Sequence, residues 1–216
     1  MKILNTEKED YHIHSLNFSD GWNTVDDIVK FAGDIGMKKI VICDHSQASL
    51  DFDKFPRKVY RDSIERWKNV FNNVEVLFGV EADLLNDNGD ICSNINGVEG
   101  NFIILSYHSG VFKGEKKRVA KGFIKAIERF HERINIIGHI CEGLDESDAA
   151  EVIEAANKHK IPLEINAQYF LMKPDSWNIL LEKADRVYIN SDGHFLNEIL
   201  NNRKEVLKIL RKDKWI

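Results

Sequence analysis

Ile40-Val41-Ile42-Cys43-Asp44-His45-Ser46 is the stretch that decides the fold. Four apolar residues in a row, three of them β-branched, lack the polar alternation of a strand that faces water on one side. They fit a parallel strand buried on both faces. The run then ends in a carboxylate and an imidazole. The same event recurs along the chain. Phe102-Ile103-Ile104-Leu105 is followed by His108, and Ile134–Gly138 by His139. Val74–Val80 ends at Glu81, and Arg186–Asn190 runs into Asp192 and His194. Tyr11–Ile13 is interleaved with His12 and His14, and Ile161–Ile165 carries Glu164 and then Asn166.

Between these seven expected strands lie segments with helical spacing. Thr24–Ile35 opens on a capping Thr, with Asp26 and Asp27 in its first turn, and its apolar residues Val25, Ile28, Val29, Ala32 and Ile35 share a face. Val59–Phe71, Lys117–Arg133, Ser147–His159, Ser176–Lys183 and Phe195–Arg211 read similarly. Alternating strands and helices imply parallel strands with helices outside, in either an open sheet or a barrel. The polar residues choose between them. In an open sheet the ends of six strands would spread over roughly 25 Å, at about 4.8 Å per strand. A barrel gathers them at one mouth. Seven strands are one short of the usual eight, so the expected fold is α/β, a distorted seven-stranded (β/α) TIM-like barrel. Its site should lie at the C-terminal ends of the strands.

The bulk numbers agree with one domain over residues 1–216, 43% apolar and 30% charged. The net charge of −5 gives no global electrostatic case for nucleic acid or an anionic membrane. No apolar stretch approaches the roughly 20 residues of a membrane span. The opening residues are too polar and acidic for a signal peptide. Cys43, Cys92 and Cys141 are widely spaced and form no CxxC pair, which suits reduced thiols in a cytoplasm.

Histidine and carboxylate together are the ligand set of zinc, manganese and iron. Any one strand-end histidine would more often be a hydrogen-bonded structural residue. Six polar interruptions at the same end of six apolar runs point to one metal centre. His131 and His159, near helix ends, take the structural reading. Trp22, Trp67 and Trp177 are expected in the core or its cover, and Trp215 at the C-terminal packing.

The ordered motifs carry a resemblance. Asp10-Tyr11-His12-Ile13-His14-Ser15, Ser19-Asp20-Gly21, Cys43-Asp44-His45-Ser46, Gly79-Val80-Glu81, His108, His139 and Ser191-Asp192-Gly193-His194 resemble the PHP (polymerase and histidinol phosphatase) superfamily over nearly the whole chain. The resemblance implies a distorted seven-stranded barrel, two or three divalent metal ions (Zn, Mn or Fe) and phosphoesterase activity. By motif, His12, His14, Glu81 and Asp192 would hold one metal. Glu81 would bridge to a second, bound also by His108 and His139. Asp20, His45 and His194 would hold a third. Many members carry His where Asp20 stands, and Ala where Gly193 stands. Asp20 would favour a harder ion, and Gly193 would loosen the backbone. Glu164 and Asn166 are expected to support the ligands, and Asp10 to orient a ligand histidine. Asp44 should point elsewhere and cap the following loop.

The expected reaction is hydrolysis of a phosphate monoester of a small metabolite by metal-activated hydroxide, with Glu81, Asp192 and His194 in the catalytic roles. Histidinol phosphate is among the candidate substrates. Lys113, Lys173 and Arg57 are the candidate phosphate-binding residues. The competing readings are a metal-stabilised, non-catalytic or nucleic-acid-associated PHP module, and an amidohydrolase-type enzyme, which would lack the early Glu81 bridge.

Overall fold

The apolar runs form a ring of parallel strands. In the computed structural model, which describes residues 1–54 and 60–216, the strands are β1 (Glu9–Ile13), β2 (Lys39–His45), β3 (Glu75–Leu84), β4 (Ile103–Ser106), β5 (Ile136–Ile137), β6 (Leu163–Asn166) and β7 (Arg186–Asn190). Each pairs in parallel with the next in sequence. Six helices follow the expected segments: α1 (Val25–Asp34), α2 (Tyr60–Arg66), α3 (Val119–Phe130), α4 (Glu146–Lys158), α5 (Asn178–Lys183) and α6 (Leu196–Lys212). Shorter helices at Gln47–Asp53, Ile140–Gly143 and Ala167–Met172 were not foreseen. Each is a turn or two long, too short to show an apolar period.

Alternation along β2 shows how the layers arise. Ile40 and Ile42 pack outward with Ile28, Val29 and Ala32 of α1. Val41 and Cys43 pack with Ile104, Ile136, Tyr11, Phe102 and Tyr188 in a separate apolar plug. That plug is the floor of the barrel. The next residues of the same parity, such as His45 after Cys43, rise above it towards the mouth.

β1 departs from regular alternation for a visible reason. Asp10 pairs with Ile40 and Ile13 with Ile42, so three steps of β1 span two of β2. This bulge lets Tyr11 join the plug while its neighbour His12 also turns inward.

The seam between β7 and β1 is where the barrel is distorted. Lys2–Ile3 pairs with Arg186 and Val187 at the lower end of β7. A bridge between Ile13 and Gly193 joins the upper end. Between these points side chains replace backbone. The Asn5 amide donates to Ile189 O (2.9 Å) and accepts from Ile189 N (3.0 Å), as a strand residue would. Asn190 Oδ1 accepts from Tyr11 N at 3.2 Å, and Asp10 Oδ1 from Ser191 N at 3.2 Å. The buried Arg203 guanidinium adds bonds to the carbonyls of Ile189, Thr6 and Glu7.

Thr24 caps α1 as expected, in a reciprocal box with Asp27. Trp177 is buried, whereas Trp22 is 69% exposed and stacks on Phe195 instead of covering the core. No helix among the described residues is long and apolar enough to cross a membrane.

Candidate metal centre

At the mouth, all nine expected ligands come together around Glu81. This carboxylate is buried, and its two oxygens face different partners. Oε1 lies 2.9 Å from His139 Nε2 and 3.4 Å from His108 Nε2. Oε2 lies 2.9 Å from His45 Nδ1 and 3.5 Å from His14 Nε2. A carboxylate so split has the geometry of a bridge. Asp192 Oδ1 lies 3.0 Å from His14 Nε2 and 3.6 Å from His12 Nε2. Asp20 Oδ1 lies 3.2 Å from His194 Nε2 and 3.4 Å from His45 Nε2.

Three sets of ligand atoms are close enough to share an ion: His12, His14 and Glu81; His45, Glu81 and His108; and His14, Asp20, His45 and His194. These differ in detail from the motif-based sets. His45 leans towards Glu81 as well as Asp20, so it stands between two groups, and His14 likewise reaches towards Asp20.

The donor set fits divalent ions. Glu81 Oε2, Asp192 Oδ1, Asp20 Oδ1 and His45 Nδ1 are buried and, although ring nitrogens or carboxylate oxygens stand 2.9–3.2 Å away, none makes a well-angled hydrogen bond. Buried polar atoms are rarely left so, because each costs about 1–3 kcal/mol. His12 Nε2 and His14 Nε2 face one another at 3.1 Å. Nitrogen lone pairs and carboxylate oxygens converging in this way lack a cation.

Ionisation in the metal-free protein shows the same deficit. Burial opposes charge on His12, but Glu164, Asp192 and Glu81 hold its pKa well above the ordinary value. His108 rises to about 10, since Glu81 and a hydrogen bond to Asp83 outweigh burial. His194 rises to about 9 against burial, chiefly through Asp20 and Asp192. His14 is the exception. Burial, then the neighbouring His194 and His45, lower it to about 4, so it keeps a free lone pair. Glu81 and Asp192 are held well below the carboxylate range by the surrounding imidazoles, despite burial.

Outer residues fix the ligands. Glu164 Oε1 accepts from His12 Nδ1 at 2.9 Å and from Asn190 Nδ2 at 2.9 Å. Asn166 Nδ2 donates to Asp192 Oδ2 at 2.8 Å. Asp192 itself sits at φ 50°, a left-handed conformation uncommon for a non-glycine residue and typical of strained functional positions. Gly193 serves packing more than freedom, because a Cβ there would meet Ile199 at 2.7 Å.

Two expectations are corrected. Asp10 touches no ligand ring; its carboxylate accepts from the backbone N–H of His12 and Ser191 and so stitches the seam. Asp44 does not cap the following loop. It holds the loop after β1, accepting from Ser15 N (2.7 Å), Ser15 Oγ (2.8 Å) and Ser19 Oγ (2.6 Å). Ser46 supplies the cap of the next helix instead.

A cavity of about 440 Å³ opens beside the ligands, lined by His45, His108, His139, Phe52, Tyr107 and Tyr169, with Lys116 at its edge. Tyr169 and Glu142 also line an adjoining cavity of about 640 Å³. Of the basic candidates, Lys173 lines this second cavity, Lys113 lines neither, and Arg57 lies outside the described residues. Lys116 was missed because it sits in a charged run that reads as a solvated loop. Asp83 was missed because it lies two residues beyond the Gly79-Val80-Glu81 motif on the same strand, where it reads as one more strand residue.

The chain is 30% identical over 164 residues to the "probable phosphatase YcdX" of Shigella flexneri, covering 75% of this chain and 65% of that protein. The YcdX protein of Escherichia coli K12 matches to the same extent. The chain thus spans a little under two thirds of the length of these curated relatives. Among solved structures, the fold is similar to histidinol phosphate phosphatase from Lactococcus lactis, crystallised with zinc, L-histidinol and phosphate. The TM-score is 0.60 at 13% identity, over 95% of this chain and 93% of that one. The PHP domain family matches residues 10–169, from the start of the first ligand strand to the cavity tyrosine, and the chain belongs to that family.

Proposed function

We propose that this protein hydrolyses a phosphate monoester of a small metabolite, using two or three divalent ions held by His12, His14, Asp20, His45, Glu81, His108, His139, Asp192 and His194. The observation that carries the reading is the convergence of buried ligand atoms on Glu81, Asp192, Asp20 and His45 that no well-angled hydrogen bond satisfies. Bound there, Zn, Mn or Fe would supply Lewis-acid activation of water and neutralisation of the phosphate charge. The relatives bearing a phosphatase name support the reaction class, and zinc in the Lactococcus enzyme supports zinc as one candidate metal.

The chain's own residues supply the rest. Asp192 has one oxygen tied by Asn166 and the other turned to the ligands, so it stays ionised and offers Oδ1 as an acceptor at the centre. His194, with Nδ1 donating to Asp192 O at 2.9 Å, presents Nε2, which would ligate the third ion or, with that site empty, transfer a proton. The 440 Å³ cavity has the size of a small-molecule site and is large enough for a small ester. Lys116 is the cation best placed to meet its phosphate, a role for which Lys113 is misplaced. We read residues 1–216 as a single barrel domain acting in the cytoplasm. Histidinol phosphate is one candidate substrate.

The test is a phosphatase screen over a metabolite panel with metal analysis on the same preparation. Asp192→Ala and His108→Ala should each lower metal content and reduce turnover by at least 100-fold, in line with losing a ligand to the reacting centre. Full turnover in a metal-depleted variant would sink the proposal.

A further inference from the structure

Asp83 is a buried carboxylate near the centre with both oxygens hydrogen-bonded, and none of the motifs includes it. It lies on β3, two residues after Glu81, and is fully buried. One oxygen, Oδ1, accepts from His108 Nδ1 at 2.7 Å. The other, Oδ2, accepts from Ser46 Oγ at 2.6 Å and Ser49 Oγ at 2.8 Å. Ser46 follows the ligand His45 and caps the helix Gln47–Asp53. Ser49, Phe52 and Asp53 of that helix line the cavity together with His45 and His108.

We propose that Asp83 is a positioning residue that sets His108 with one oxygen and the cavity wall with the other. This rests on the reading that His45, Glu81 and His108 hold an ion. Three physical steps lead to it. With Nδ1 committed as donor to Asp83, the neutral His108 ring must present an unprotonated Nε2, the atom that faces Glu81 at 3.4 Å. The same carboxylate ties down both hydroxyls of the segment that follows His45, so the two imidazoles of this group are referred to one anchor. Both sit beside the substrate cavity, so the ion position and the wall shape are fixed together rather than separately.

The experiment compares four full-length proteins: wild type, D83N, D83L and S46A/S49A. Each is titrated with Co²⁺ and Mn²⁺ against a competing chelator, with stoichiometry by elemental analysis and the Co²⁺ visible spectrum as a signature of ligand geometry. D83L should lose one equivalent, or bind it about 10–100-fold more weakly, with an altered spectrum. D83N keeps an acceptor for His108 Nδ1 and a donor for the two serines, so it should restore the stoichiometry. S46A/S49A should keep its ions and lose hydrogen-exchange protection in Gln47–Asp53. Circular dichroism on each variant separates misfolding from ligand loss, and D83N with the serine pair still decide the matter if D83L does not fold. Wild-type stoichiometry and spectrum in D83L, or failure of a folded D83N to restore them, would overturn the positioning role while leaving the metal reading standing. Unchanged protection in S46A/S49A would overturn the claim on the wall. A wild type that binds no divalent ion would overturn both this and the metal reading.

Discussion

Asp44 shows how far a single side chain can reach from the ligand it neighbours. It sits beside His45 in sequence yet bonds to Ser15 and Ser19, in the loop that delivers Asp20 to the centre. Burial pushes its pKa up to about 6, against the pull of those hydrogen bonds. A buried carboxylate is kept in such a place because three donors would otherwise be stranded. Gly21 closes the same loop, and any side chain there would meet His14 O at 2.3 Å. The expected outcome for Asp44→Ala is a loss of about 2–4 kcal/mol of stability in denaturant titration, from donors left unpaired. Its effect on metal content should fall on the ion nearest Asp20, with the His12, His14 and Glu81 group spared. Equal loss at every position, measured by elemental analysis, would contradict this account.

Among the elements, the β7–β1 seam is the least regular and the most dependent on particular side chains. Asn5 supplies one donor and one acceptor to Ile189, and no backbone group stands behind it. Asn5→Ala should therefore destabilise by about 1–3 kcal/mol, because Ile189 N becomes buried and unpaired while Ile189 O keeps only its bond from Arg203. Thermal unfolding of the metal-loaded protein measures it, and a loss under 0.5 kcal/mol would show that the backbone closes the ring without help. This seam also marks the limit of what sequence could show. Ile40–Cys43 and Phe102–Leu105 announce buried parallel strands by composition. The ligands announce themselves through residue type and strand-end placement. Asn5 and Arg203 carry no such signal, since an amide or a guanidinium standing in for backbone looks like any surface residue until the strands meet, and Asp10, though inside a motif, gives no sign that it bonds backbone instead of a ligand ring. The β1 bulge is equally silent, because Tyr11 and His12 facing the same way contradicts the period of two that strand reading relies on.

At the scale of the whole molecule, the barrel brings buried carboxylates and imidazoles from most of its strands to one mouth, and their charge balance governs stability. Without metal, protons take the place of the ions. Burial disfavours charge on His108 and His194, yet Glu81 with Asp83, and Asp20 with Asp192, raise them to about 10 and about 9. An unfolded chain releases the same protons near pH 6.5. Folded values above unfolded ones mean that this contribution is whole below about pH 6.5 and is lost as the pH climbs through 9 to 10. His14, lowered to about 4, adds nothing in that window. Metal ions need those imidazoles neutral, so they must displace the protons, and their affinity should rise over the same interval. Chelator-treated protein should therefore melt several degrees lower at pH 9.5 than at pH 6.5. Protein with manganese or zinc restored should hold its Tm, so that the gap between the two forms widens with pH. Calorimetry of both forms across this range is the measurement. A constant gap would mean that protons and metal ions do not compete for the same nitrogens, and would remove His108 and His194 from the ligand set.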